Sequence, residues 1–269
     1  EFEKAVELHP HDDKISLKAT AELQEKDNQL EDLTRTLSLL LIRLETNPEA
    51  LDYLNKLATA FTKMGKEKLA RVQYERIIDL CSYLIGNPTK LKGSEVTLAD
   101  VWNIRADAYE AIGETTAAQN AWLKFTEVLE SELKKMPKQT REKDRGKSLE
   151  LAHGYFKSNK PDAAREIYLR LEEHYPDEFT FYYAHARMEN ELGNHLLANT
   201  LAAQALKNSY GDNLLRASEL SAQILVKLEK KQDALALLEK TLAETSTPTQ
   251  ANVRTHRYIK KLNDLKQKL

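Results

Sequence analysis

The chain has 269 residues, of which 30% are charged, with a net charge of -2 and a pI near 6.5. That balance offers no global attraction to a polyanion, so nucleic acid and anionic membrane are set aside as general partners. Eight glycines and seven prolines among abundant Ala, Leu, Lys and Glu make a helical composition, and the single Cys81 excludes an internal disulfide or a paired-thiol zinc or redox site.

The opening EFEKAVELHPHDD reads as the end of a helix, residues 1–10, which implies a neighbouring element before it. Residues 13–48 follow as a degenerate helical hairpin. Ile15, Ala19 and Leu23 form a modest stripe, Asp27 and Asn28 turn the chain, and Leu33, Leu37, Leu40, Leu41 and Leu44 form a strongly apolar second helix. The run 37–44 is broken by Arg43 and far too short to span a bilayer, so no membrane insertion is expected.

A clear hairpin occupies 51–84, with Leu54, Leu57, Ala58 and Phe61 on its first helix and Ala70, Tyr74 and Ile77 on its second; Gly65 fits the left-handed cap between them. The spacing then breaks at 85–98, a fourteen-residue insertion containing Gly86, Asn87, Pro88 and Gly93. It resumes at 99–132 with Trp102, Ala106, Tyr109, Gly113, Ala118, Trp122 and Phe125. Arg105 there takes a place that wants leucine. A second insertion, 133–144, carries Lys134, Lys135, Lys138, Arg141 and Lys143 around Pro137. Beside these interruptions the preceding helix should run long or a loop should project.

Residues 145–178 are the most complete unit. Leu151, Ala152 and Tyr155 share one stripe, 158–161 turn, Ala164, Tyr168 and Leu171 face back, and Pro176 stops the second helix. Residues 179–212 repeat it with Tyr182, Ala186, Gly193, Ala198, Ala202 and Ala205, but with Glu189 where an aromatic is expected. Residues 215–248 follow with Ala222, Leu225, Ala234 and Leu238. The segment 249–269 reads as a capping helix, with Val253, Ile259, Leu262 and Leu265 on one face.

Counted from Arg145, the positions 7, 8, 11, 20, 24, 27 and 32 are Leu151, Ala152, Tyr155, Ala164, Tyr168, Leu171 and Pro176. With a period of about thirty-four residues, this resembles the tetratricopeptide repeat (TPR) pattern. The resemblance implies an all-α fold: an α-solenoid, a right-handed superhelix of about six helical hairpins with a C-terminal capping helix, in one domain. It also implies a groove that binds other proteins and no catalytic site. Glu189 with Tyr182, Ala186 and Gly193 is similar to the related HAT repeat of RNA-processing scaffolds. The runs YPDEFTFYYAHARMENELGN, NSYGDN and NVRTHRYIKKLNDL are similar to TPR tails of bacterial thioredoxin-fold proteins. That second resemblance suggests an alternative function, the regulatory or substrate-positioning tail of a larger enzyme, and fits a bacterial cytoplasm or periplasm alike.

Chemical motifs are sparse. His9, His11, Asp12 and Asp13 bring ligand types together, but in a stretch where proline and aspartate are ordinary turn residues. His153, His174, His185, His195 and His256 are scattered and read as surface or groove residues. No glycine-rich phosphate loop is present, so no metal, cofactor or catalytic residue is expected. The basic insertion is interleaved by Glu142 and Asp144, which disfavours nucleic acid.

The family's groove is lined by first-helix positions 2, 5, 6, 9, 12 and 13. Here these include Asn55, Lys56, Thr59 and Lys63; Asn103, Asp107 and Glu110; His153, Phe156 and Lys157; Tyr183, Arg187 and Asn190; and Leu220, Gln223 and Lys227. No three consecutive repeats supply the lysines and asparagines of the family's carboxylate clamp. The expected site is Phe156, Tyr183, Arg187, Asn190 and Gln223, holding a protein or peptide partner, because aromatics with arginine are enriched where binding energy concentrates.

Overall fold

A computed structural model describes residues 13–137, 144–249 and 254–269, and among these it contains thirteen α-helices and no strand. The expected truncated helix at 1–10, the His9–Asp12 ligand types and the lysine-rich centre of the second insertion lie outside the described residues. The helices are α1 (Asp13–Lys26), α2 (Leu30–Leu44), α3 (Ala50–Lys63), α4 (Glu67–Gly86), α5 (Leu98–Ala111), α6 (Thr115–Lys135), α7 (Arg145–Lys157), α8 (Pro161–His174), α9 (Phe179–Glu191), α10 (His195–Lys207), α11 (Asp212–Lys227), α12 (Lys231–Glu244) and α13 (Arg254–Lys268). Two compact units divide the chain, Glu1–Arg141 with Lys157–Asn159, and Glu142–Phe156 with Lys160–Leu269.

In the first unit each helix from α1 to α6 packs on the next, so the hairpins stack in chain order. The leucine stripe of α2 drives this. Leu33, Leu37, Leu40, Leu41 and Leu44 are all buried, in one cluster with Leu51, Leu54, Leu57, Ile77, Leu80 and Leu84. Each fully buried leucine contributes roughly 1.5–3 kcal/mol of transfer free energy, more than local helix propensity supplies. Both long second helices run past the repeat, α4 for 20 residues and α6 for 21, so part of each insertion is helix. The rest of 85–98 forms a short 3₁₀ turn, Pro88–Leu91, then a further turn at Lys92–Gly93 and a bend at Ser94–Glu95 before Thr97. Thr97 starts α5 with a reciprocal capping box: its hydroxyl accepts from the Asp100 amide at 3.1 Å and its own amide donates to Asp100 at 2.8 Å.

Arg105 does not displace α5 from its expected register. Val101, Ala106 and Ala108 are buried, and the guanidinium turns sideways, 5.3 Å from the Trp102 ring and 5.4 Å from the Tyr109 ring, donating to the Tyr109 hydroxyl at 3.1 Å. A long side chain can thus occupy a leucine position by laying its stem along aromatic faces.

In the second unit α8 packs on α9, α9 on α10 and α10 on α11, while α11 also touches α9 and both final helices. Close approach is made by alanine. Ala152, Ala164, Ala186, Ala198, Ala205, Ala222 and Ala234 are completely buried. Leu262 of α13 is likewise fully buried, among Leu215, Ala222, Ala234 and Leu238, which is how the last helix covers the apolar end of the stack. The first helices end in left-handed residues: Gly65, Gly113 and Gly193 in three hairpins, but Asn28, Asn159 and Glu229 in three others.

Candidate functional site

Helix α9 carries three of the five expected site residues and positions them rigidly. Glu178 caps its first turn by accepting from the Thr180 amide at 3.4 Å, and Phe179, Phe181, Ala186 and Met188 anchor its buried face. Tyr183, Arg187 and Asn190 follow at helical spacing on the side left open. Tyr183 is half-buried: its ring lies 5.1 Å from that of Phe179, and the guanidinium of Arg216 sits 4.7 Å from its centroid and 5.7 Å from that of Phe179. Arg216 belongs to α11, so this cation–aromatic stack joins the first helices of successive hairpins. Its Nη1 also donates to Asn213 at 3.2 Å, which fixes the fork.

Arg187, one turn beyond Tyr183, is exposed and only loosely paired with Glu191 at 3.6 Å. A pair at that distance and exposure is worth about 0–1 kcal/mol and yields readily to a ligand. Asn190 Oδ1 lies 3.0 Å from His195 Nδ1. Phe156 is half-buried near the end of α7; Gln223 is exposed on α11 and donates to Glu219 at 3.4 Å. Neither makes ring or hydrogen-bond contact with the α9 trio among the described residues. Arg216 was missed, although its place at position 2 of the hairpin begun at Leu215 is the signal that could have found it. Leu220, which the repeat position places in the groove, is instead buried, packed in one cluster with Ala186, Ala202 and Ile224, because α11 turns that position toward the neighbouring hairpin.

Behind this face lies a buried polar network. His185 was expected on the surface or in the groove, yet it is 2% exposed. Its Nδ1 is 2.8 Å from Glu172 Oε1, its Nε2 is 3.4 Å from Glu189 Oε1, and its ring stacks on Tyr168 with centroids 5.1 Å apart. Glu189, with no exposed surface, accepts from Arg165 at 2.5 and 3.1 Å and from Asn194 at 2.6 Å. The glutamate that broke the aromatic pattern thus ties α8, α9 and the start of α10 together, while Tyr168 and His185 supply the ring contact. Burial pushes the Glu189 carboxyl up, but the hydrogen bonds from Arg165 and Asn194 and the charges of Arg165 and His185 outweigh it and hold it below the ordinary value.

The first unit has a second concave feature. Asn47, Glu49, Asp52, Tyr53 and Asn55 on the α3 side face Lys90, Lys92, Ser94, Glu95 and Val96 of the insertion, enclosing a cleft of about 850 Å³. Leu51, Val96 and Ile104 provide its apolar surface. The insertion is anchored rather than loose, since Leu91 and Val96 pack against the main core. Glu49 is engaged by Lys18 at 2.5 Å and Asp52 by Lys56 at 3.4 Å.

Among the described residues no group of three His, Cys, Asp or Glu side chains could hold a metal ion, and no helix is long and apolar enough to cross a membrane. No protein-family model and no curated protein matches the chain. Solved structures do match. A tetratricopeptide repeat protein from Parabacteroides merdae is 17% identical over 95% of this chain and 99% of its own, with a TM-score of 0.43. A thermophilic TPR protein of Thermus thermophilus is 16% identical over 80% and 100%, with a TM-score of 0.42. The TPR2AB domain of yeast Sti1 in complex with pHSP90 is 16% identical over 95% and 97%, with a TM-score of 0.37. With hairpins closed by buried alanines and turned by left-handed caps at the spacing its residues announce, the chain resembles the tetratricopeptide repeat proteins.

Proposed function

We propose that the chain is a non-catalytic interaction scaffold whose partner, a protein or peptide, seats on the open face of α9 and α11. The observation that carries this reading is the Phe179–Tyr183–Arg216 stack beside the exposed Arg187. An aromatic held in place by neighbours loses little conformational freedom on binding, so its apolar area is available at low entropic cost. Arg187 adds a planar donor fork suited to a carboxylate or a backbone carbonyl. Asn190 and Gln223 can satisfy the amides of an extended peptide, and Phe156 extends the apolar area on the same class of helix.

The test is site-specific photocrosslinking in cell extract, with the crosslinker placed at Arg187 and, as a control, at the exposed Lys240 of α12. The reading predicts a discrete adduct from position 187 and none of the same mass from position 240. Equal labelling from both positions, or a discrete adduct from position 240 alone, would overturn it.

A further inference from the structure

The last helix carries more positive charge than covering an apolar end requires. α13 holds six basic side chains against the single acidic Asp264, in a chain whose net charge is -2. Arg254, Lys261 and Lys268 recur every seven residues and Arg257 follows Arg254 by three, so the four share one flank along roughly 21 Å of helix. All four are exposed, and among the described residues none has an ion-pair partner. Lys266, by contrast, pairs with Glu239 of α12 at 2.9 Å. The contacts of α13 fix the side on which the row lies. Lys266 reaches α12, and His256 Nε2 lies 2.9 Å from the Pro248 carbonyl just past that helix, so this flank is turned to the second helix of the hairpin. The row lies on the other flank, bordering Tyr258 and Leu265, which share one apolar cluster with Leu225 and Val226 of α11. Val226 is position 12 of the hairpin begun at Leu215, a groove position, so the row stands beside the open face of α11 and not behind it.

We propose, resting on the reading of the α9–α11 face as the partner's seat, that this partner is an acidic protein segment which continues from α11 onto α13, where Arg254, Arg257, Lys261 and Lys268 take its carboxylates. The charge balance along these helices argues for that occupant. Asp212 already accepts from Thr255 at 2.6 Å, Glu191 pairs with Arg187 at 3.6 Å, and Glu219 accepts from Gln223 at 3.4 Å. Asp264, at the outer edge of the row, is the acid that opposes the segment, and it faces the row together with the exposed Lys260 and Lys227. Packed helices lie about 8–10 Å apart, so an extended segment crosses from Arg187 to the row in roughly six residues. A single-stranded nucleic acid fits less well, because Tyr258, the aromatic of α13, packs inward and offers no ring for base stacking. A bilayer fits less well too, because the apolar flank of α13 is already buried in that cluster.

The experiment is fluorescence anisotropy on the whole chain, using a labelled, end-blocked decapeptide of alternating glutamate and alanine. Its comparison probes are the lysine version, an oligothymidylate and vesicles containing phosphatidylserine. Saturable binding of the glutamate peptide is expected, weakening as salt rises because exposed charge pairs are screened. Arg257→Gln/Lys261→Gln should lose about threefold to tenfold in affinity, the scale of two exposed ion pairs, and Arg187→Ala about twofold to fivefold. Lys240→Gln, at an exposed position of α12, should bind as the native chain does. The α13 changes are at the surface, and unchanged circular dichroism and thermal midpoint show that the variant folds. Native affinity in Arg257→Gln/Lys261→Gln, preference for the lysine peptide, or no saturation at millimolar concentration would each overturn the proposal. So would tighter binding of the oligothymidylate or the vesicles that falls in the same variant. Peptide binding that falls in the α13 variant but not in Arg187→Ala would overturn the continuation from α11 onto α13. Failure here is distinguishable from failure of the α9–α11 reading, because a discrete crosslinked adduct from position 187, undiminished in Arg257→Gln/Lys261→Gln, leaves that face standing without α13.

Discussion

At the scale of single residues, Glu189 and Arg165 set the strongest expectation. Glu189 is completely buried and holds three hydrogen bonds, so Arg165→Ala would leave an under-compensated carboxylate in the interior. Such a loss costs roughly 3 kcal/mol, to be read as a fall in the urea midpoint. The pH dependence has a definite sign. The folded carboxyl titrates below its unfolded value of about 4.3, so the unfolded chain takes up the proton first. Its contribution is full above that pH and is lost as pH falls through the folded value. The native protein should therefore lose more stability than Glu189→Gln between about pH 5 and pH 3. Cys81 is the second residue with a measurable consequence. Burial pushes its thiol up to about 12 against the opposing charge of Arg105, and no surface of it is exposed. A thiol reagent at neutral pH should react with it only on unfolding; rapid stoichiometric labelling of the native chain would contradict that burial.

At the scale of elements, the hairpins rest on small residues and left-handed turns. Ala152 and Ala186 have no exposed surface, and a leucine at either would overpack a helix contact, costing roughly 1–3 kcal/mol in thermal unfolding. Glu229 occupies a left-handed turn at φ 62°, where glycine is free of the Cβ conflict. Glu229→Gly should raise stability by up to about 1 kcal/mol, whereas Gly193→Ala, at φ 82° with nothing within 4 Å, should lower it through backbone strain alone. This level was the most legible in the sequence, because alanine spacing and the turn glycines report backbone geometry directly. The turn at Glu229 was less legible, since a non-glycine residue there looks like any polar loop. His185, expected on the surface or in the groove, misled for a related reason. A lone polar residue in a helix reads as surface, and only the partner helix, contributing Arg165 and Glu172, reveals that it is buried and satisfied.

At the scale of the whole molecule, repetition announced the stack of hairpins, but it could not announce what the stack recognises. The open-face residues of α9 were identifiable from position; Arg216 and the insertion cleft required knowing which side chains from separate segments converge. The reading as a scaffold stands on the α9–α11 face, and its most direct measurement is calorimetric titration of the crosslinked partner against the native chain, Tyr183→Ala and Arg187→Ala. Each variant should weaken binding by roughly 1–3 kcal/mol with an unaltered thermal midpoint. Native affinity in both variants would contradict the account.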